Sequence, residues 1–166
     1  MANTCEIPLL FKDDDAEPAI LRDTGLIKLI PTIVRAVELK NPNWETENVV
    51  VTSPISIPFP RWVGDFVFEH IRKYESPQGS VEGDIKNYPE AAQKTIVELK
   101  QIIGLADFLE CTSFMHCIGF VIADKLSPKH VNEIAAYLGV EMEPEENLEN
   151  REDGWVYPPS SIFENN

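Results

Sequence analysis

From Pro89 to Val140 the sequence carries helical periodicity almost without interruption, whereas the first sixty residues offer only short helical and strand-like pieces. Such a chain must cover a small sheet with more helix than the sheet alone can bury, so the fold class expected is α+β. In "PEAAQKTIVELKQIIGLADFLE", Ile96, Leu99, Ile103 and Ala106 recur as one stripe, and in "TSFMHCIGFVIADKL" Phe114, Ile118, Val121, Ile122 and Leu126 form the next. The third segment, "SPKHVNEIAAYLGV", has Ser127 to cap it and Pro128 for its first turn. Its stripe is Val131, Ile134, Ala135 and Leu138, and Gly139 can take the left-handed stop conformation. Gly104 and Gly119 lie inside helical patterns, which costs stability relative to alanine but permits close helix packing.

Before that run the pattern changes. "CEIPLLF" alternates Ile7, Leu9 and Phe11 on one side, and "DDDAEP" supplies turn formers before "AILR", which predicts an N-terminal hairpin. "DTGLIKLI" and "PTIVRAVEL" read as two short helices, with Pro31 at a first helical position and Ile33, Val34 and Val37 on one face. "NPNWETEN" is polar and irregular. "VVVTSPISIPF" reads as a strand that Pro54 and Pro58 push to a sheet edge or end. In "PRWVGDFVFEHIRKYE", Val63, Phe66, Val67, His70, Ile71 and Tyr74 build a continuous helical face. "SPQGSVEGDIKN" then marks a solvated acidic loop near 76–88.

Charge excludes some functions. With 28 acidic and 14 basic side chains the net charge is −14. Nucleic-acid affinity rests on Lys and Arg neutralising phosphates, so no nucleic-acid partner is expected, and anionic membrane surfaces are disfavoured for the same reason. No apolar run reaches the roughly 20 residues that span a bilayer, and "MANTCEIPLLFKDDDAEP" lacks a basic start followed by an apolar block, so a cytoplasmic and nuclear location is expected. Cys5, Cys111 and Cys117 have no metal-ligand spacing and read as reduced structural thiols.

Catalytic templates are missing. The chain has no glycine-rich phosphate loop, no Gly-x-Ser-x-Gly elbow and no His-Glu-x-x-His pair. His70, His116 and His130 fall on separate predicted helices without a carboxylate at a fixed helical offset, and His70 reads as a hydrogen-bonded histidine at the core edge. Asp13, Asp14 and Asp15 read as a charged turn, since calcium loops alternate their ligands over about twelve residues. Cys117, inside an apolar helix, reads as a small hydrophobe. No enzyme activity, no cofactor and no metal site are expected.

Taken in order, "IPFPRWVGDFVFEHIRKYESP", "LADFLECTSFM", "IADKLSPKHVNEIAAYLGV" and "REDGW" resemble the S-phase kinase-associated protein family, the F-box-binding adaptors of cullin ubiquitin ligases. Ile57, Pro58 and Pro60 correspond to that family's Ile-Pro-x-Pro element, Ala106 to Glu110 to its Ala-x-aromatic-Leu-acidic element, and Trp155 to the tryptophan closing its Glu-rich tail. The first two thirds are equally similar to elongin C, and residues 111–157 favour the F-box adaptor. Asp107 stands where the family generally has asparagine and Phe108 where it has tyrosine, which exchanges two hydrogen-bonding groups for one charge and implies altered or absent cullin affinity.

The resemblance implies a BTB/POZ-like fold, a small three-stranded sheet with helices, over residues 1–110. An F-box-binding helical extension would follow over 111–157 and a flexible tail over 158–166. F-box proteins would bind through Ile122, Leu126, Leu138, Val140 and Trp155, and a cullin around Arg61, Asp107 and Phe108. The tail after Val140 has too few apolar residues for a core of its own and is expected to order against a partner. A structural or oligomeric module acting outside ubiquitylation, homodimer included, stays open as the alternative.

Overall fold

The computed structural model of the chain describes residues 4–13, 17–77 and 84–141. Asp14, Asp15, the middle of the acidic loop and the tail bearing Trp155 lie outside the described residues. The described residues form a mixed α+β fold of seven helices and a four-stranded mixed sheet. They divide between Ser127 and Pro128 into two compact units, each taken by itself below.

In the first unit every strand pairing runs through β1 (Cys5–Phe11). β2 (Ala19–Leu21) returns antiparallel on one side, with Ile7 opposite Leu21 and Leu9 opposite Ala19, which is the expected hairpin. The other side is shared by two parallel partners, β3 (Val49–Val50) beside Cys5 and Glu6, and β4 (Ile55–Ile57) beside Leu9 to Phe11. The sheet therefore has four strands rather than the three expected, because "VVVTSPISIPF" does not pair as one strand.

Pro8 accounts for the break. The carbonyls of Thr4 and Glu6 accept from Val49 and Val51 at 2.8 and 2.9 Å, and the Lys12 N–H donates to Phe59 at 3.1 Å, so the even-numbered residues around β1 face β3 and β4. Pro8 falls in that series and has no N–H to donate. No pairing partner is present there, and residues 52–54 pass by without joining the sheet.

This unit also holds six α-helices among its described residues, and the one bearing Gly64 meets β1 at Phe11. α1 (Thr24–Ile27) begins at Asp23, whose carboxylate accepts from the Leu26 N–H at 3.1 Å, and α2 (Pro31–Glu38) starts with Pro31 and buries Ile33 and Val37. α3 (Arg61–His70) buries Val63, Phe66, Val67 and His70, and hydrogen-bonded turns carry the chain on to buried Tyr74. Its first N–H, on Arg61, donates to the Asp13 carboxylate at 2.7 Å, so an aspartate from the β1–β2 turn caps a helix 48 residues away.

The long helical segment after Pro89 is broken where one helix was expected. α4 (Pro89–Ala92) is a single turn, and α5 (Ile96–Phe108) restarts at Thr95 with a capping box. The Thr95 hydroxyl accepts from the Glu98 N–H at 3.2 Å while the Glu98 carboxylate accepts from the Thr95 N–H at 2.8 Å. The buried stripe of α5 is Leu99, Ile102, Leu105 and Ala106, whereas Ile96 and Ile103, two of the four expected, are half-buried. α6 (Thr112–Leu126) packs along α5 and buries Phe114, Ile118, Val121 and Leu126 as expected, together with Cys117.

In the second unit α7 (Val131–Leu138) starts later than expected. Ser127 ends α6 instead of capping α7, Pro128 lies in the connection, and the Glu133 carboxylate reaches back to the His130 N–H at 3.2 Å to close the new helix's start. Gly139 takes the left-handed conformation, with φ of 70°, and the Val140 N–H bonds the Ala135 carbonyl at 2.9 Å, so the stop signal acts as read.

The glycines divide sharply. A Cβ on Gly64 would sit 2.2 Å from the Phe11 ring, so only glycine lets α3 lie this close to β1. At Gly104 it would meet Phe59 at 3.2 Å, while at Gly119 the nearest atom is Ile103 Cδ1 at an ordinary 3.9 Å. Gly64→Ala should therefore lower stability by about 1–3 kcal/mol through overpacking, despite alanine's better helix propensity. Gly119→Ala should raise stability by up to about 1 kcal/mol. Urea unfolding of the two variants decides it, and equal effects would remove the close approach as an explanation.

Candidate functional site

The expected cullin-facing residues sit at the start of α3 and the end of α5. Arg61 is fixed at both ends, its N–H on Asp13 and its guanidinium 5.5 Å above the Phe11 ring. Asp107 and Phe108 are exposed in the last turn of α5, Phe108 at 39%. The Phe108 ring meets Phe59 at 6.3 Å between centroids, and Phe59 in turn lies against Gly104 one turn earlier on α5. Phe59 is the variable residue of the Ile-Pro-x-Pro element, so that element joins the end of β4 to the end of α5. Trp62 is also part-exposed, with the Lys94 ammonium 5.3 Å above its ring. Arg61 and Lys94 thus lie over the Phe11 and Trp62 rings, while Phe59 and Phe108 pack on each other. Sequence reading singled out Arg61, Asp107 and Phe108 but not Phe59, Trp62 and Lys94. Phe59, Trp62 and Lys94 lie outside α5, so the apolar stripe of that helix carries no signal for them.

The expected F-box-facing residues fall in both units. Ile122 and Leu126 are four apart on α6 and so share its face; Ile122 is half-buried against the core and Leu126 is buried. Leu138 and Val140 flank the Gly139 stop and are 57% and 58% exposed. Trp155 lies outside the described residues.

The corner joining α5 to α6 is held by charge. Glu110 has φ of 60°, a left-handed conformation that costs a residue with a side chain about 1–2 kcal/mol. There its N–H bonds Asp107 at 2.9 Å, the Cys111 N–H bonds Ala106 at 2.8 Å, and its carboxylate takes both arms of the Arg35 guanidinium from α2, one at 2.7 Å. Thr32 reinforces the same junction through its hydroxyl on the Phe108 carbonyl at 3.2 Å. The orientation of Phe108 therefore depends on a pair 75 residues apart in sequence.

Nothing in this arrangement resembles an activated nucleophile. A depression of about 280 Å³ beside the corner is lined by Leu29, Pro31, Ile71, Glu110 and Cys111. The Cys111 thiol is pushed up to about 11, first by burial and then by the Glu110 charge, so it stays protonated. Burial also raises Cys5 and Cys117. No three His, Cys, Asp or Glu side chains converge as metal ligands among the described residues, and none of the described helices is long and apolar enough to cross a membrane. Compared with protein-family models and with curated proteins, the chain finds no match.

The Arg35 hydrogen bonds, and to a lesser degree its charge, hold the Glu110 carboxyl below the ordinary glutamate range. A carboxyl lowered on folding contributes stability that is fully present above its unfolded value of about 4.3 and is lost as pH falls through the lower folded value. Arg35→Met should therefore flatten this acid limb while costing stability at pH 7. Urea unfolding at a series of pH values would show it; parallel curves for the two proteins would mean the pair is idle.

Proposed function

We propose that this chain is a non-enzymatic adaptor of the F-box-binding kind, acting in cytoplasm and nucleus, which holds F-box proteins at its C-terminal side and offers the Arg61, Asp107 and Phe108 side to a cullin. The observation that carries the reading is at the end of α7, where Leu138 and Val140 stand more than half exposed on either side of a helix stop. Two large aliphatics that add nothing to a core are what a helix-in-groove contact requires. The quoted motifs support the same reading, because Leu138, Val140 and Trp155 fall where the resembled family closes on its F-box.

A second reading, a module that joins other proteins outside ubiquitin ligases, draws on Asp107 and Phe108. Asp107 adds an exposed charge, and Phe108 offers a ring packed on Phe59 where a tyrosine would offer a hydroxyl. Both changes bear on the cullin side alone.

The two readings separate on co-purification. The adaptor reading expects F-box proteins and a cullin together, the second expects no cullin. Within the adaptor reading, Trp155→Ala should weaken F-box binding by about 2 kcal/mol or more while barely moving the melting temperature, as a buried interface aromatic does. Leu138→Ala should weaken binding with a smaller loss of stability. Titration calorimetry with thermal unfolding measures both, and normal F-box binding by Trp155→Ala would remove the anchor on which the reading depends.

A further inference from the structure

We propose that His70 is a buried proton-binding site with Glu90 as its counter-ion, and that taking up the proton draws α3 and α4 together. His70 is 3% exposed at the end of α3. Its Nδ1 lies 2.8 Å from the Phe66 carbonyl oxygen, which can only accept, so Nδ1 carries a hydrogen. In the neutral ring Nε2 is then the acceptor. It is the one buried side-chain nitrogen or oxygen among the described residues with no hydrogen-bond partner, and it faces a second acceptor, the Glu90 Oε1, at 3.8 Å. Two lone pairs opposed across that gap leave room for improvement by a single proton on Nε2, which would turn them into a charge-assisted N–H···O bond.

The surroundings fix the ring and its counter-ion in place. The ring is held between Phe66, stacked at 4.3 Å, and Tyr74 at 5.2 Å, and Tyr74 is itself stacked on Phe114 of α6 at 5.8 Å. It is thereby kept from turning towards water. The other Glu90 oxygen accepts from the Tyr74 hydroxyl at 3.0 Å, and that hydroxyl accepts from the Ala91 N–H at 3.1 Å. Glu90 is held below the ordinary carboxylate range, first by its own backbone N–H and next by Tyr74, so it remains the anion. The remaining groups are already engaged. Glu69 and Lys73, on the α3 side, pair with each other at 3.0 Å. Lys94, beyond α4, lies 5.7 Å above the Phe66 ring and pairs with Glu98. Tyr88 donates to the Glu75 carbonyl at 2.6 Å. On α6, the Cys117 thiol donates to Ser113 at 3.2 Å, His116 sits 3.4 Å from Ser76, and Lys125 donates to the Ala92 carbonyl at 2.7 Å. Closure of the gap would move α4 through Glu90 and Ala91, whose N–H is tied to the same network.

Ring nitrogen NMR on the full chain, recorded as the pH falls from neutral into the acid range, tests the site. At the upper end His70 should show hydrogen on Nδ1 alone, and at the lower end a second ring N–H that exchanges slowly with water. Hydrogen exchange of the Ala91 amide, corrected for its intrinsic pH dependence, should slow by about tenfold over the same range, as one added charge-assisted hydrogen bond allows. Both changes should vanish in Glu90→Gln, a substitution at a half-exposed side chain that leaves the aromatic stack in place, and the exchange change should vanish in His70→Gln. A His70 ring still neutral at the lower pH, or a Glu90→Gln protein that behaves like the parent, overturns the proposal.

Discussion

β1 is the constraint on which the first unit depends. β2, β3 and β4 each pair with it and not with one another, so the sheet is a single strand with partners rather than a row of equals. Its side chains Cys5, Ile7, Leu9 and Phe11 are all buried, and the last of them receives α3 at a separation that only Gly64 allows. Burial of each such aliphatic contributes roughly 1.5–3 kcal/mol relative to exposure, but the Phe11 contact does more than add area. It sets the depth of α3, and with it Trp62, His70 and the face that carries Arg61.

Acidic residues outnumber basic ones by 28 to 14, yet several of those described are structural. Asp13, Asp23 and Glu98 each accept from a backbone N–H at a helix start, Asp84 does the same at a single 3-10 turn (Ile85–Asn87), and Asp23 also takes a two-armed hydrogen bond from Arg72. Glu110 fixes the α5–α6 corner through Arg35. Part of the negative charge is thus complementary to helix N-termini, where it is stabilising. What remains exposed contributes to the long-range negative field of a chain with net charge −14.

The parts of the fold that depend on short-range pattern were legible in the sequence. The hairpin, Pro31 at a helix start, the buried face of α3 and the left-handed stop at Gly139 follow from spacing and residue type alone. What was not legible required partners distant in the chain. The division of β3 from β4 needs the facing of Pro8 in another strand, and the break before α5 lay in a capping box, Thr95 with Glu98, hidden inside an apparently continuous helical run. Ser127 has the chemistry of a cap, but it closes the end of α6 and His130 caps the next helix. Trp44, in a segment that reads as polar and irregular, is buried in the core under Lys28. At the candidate site Arg61, Asp107 and Phe108 could be named from motif, whereas the Phe59 contact and the Arg35–Glu110 pair could not. His70 was read as hydrogen-bonded and is so at Nδ1, but Glu90, twenty positions on, is invisible to any helical spacing rule.

The gap opposite Pro8 also bears on how this sheet could change over evolutionary time. A ladder that is already interrupted transmits no register across the interruption, so the two halves of the parallel edge are aligned independently, one by Val49 and Val50 and the other by Ile55 to Ile57. Residues inserted or lost among 52–54 would shift neither half, whereas the same change inside an unbroken strand would turn every following side chain to the opposite face. A missing hydrogen-bond donor in the central strand thereby makes the edge beside it the most freely remodelled stretch of the sheet.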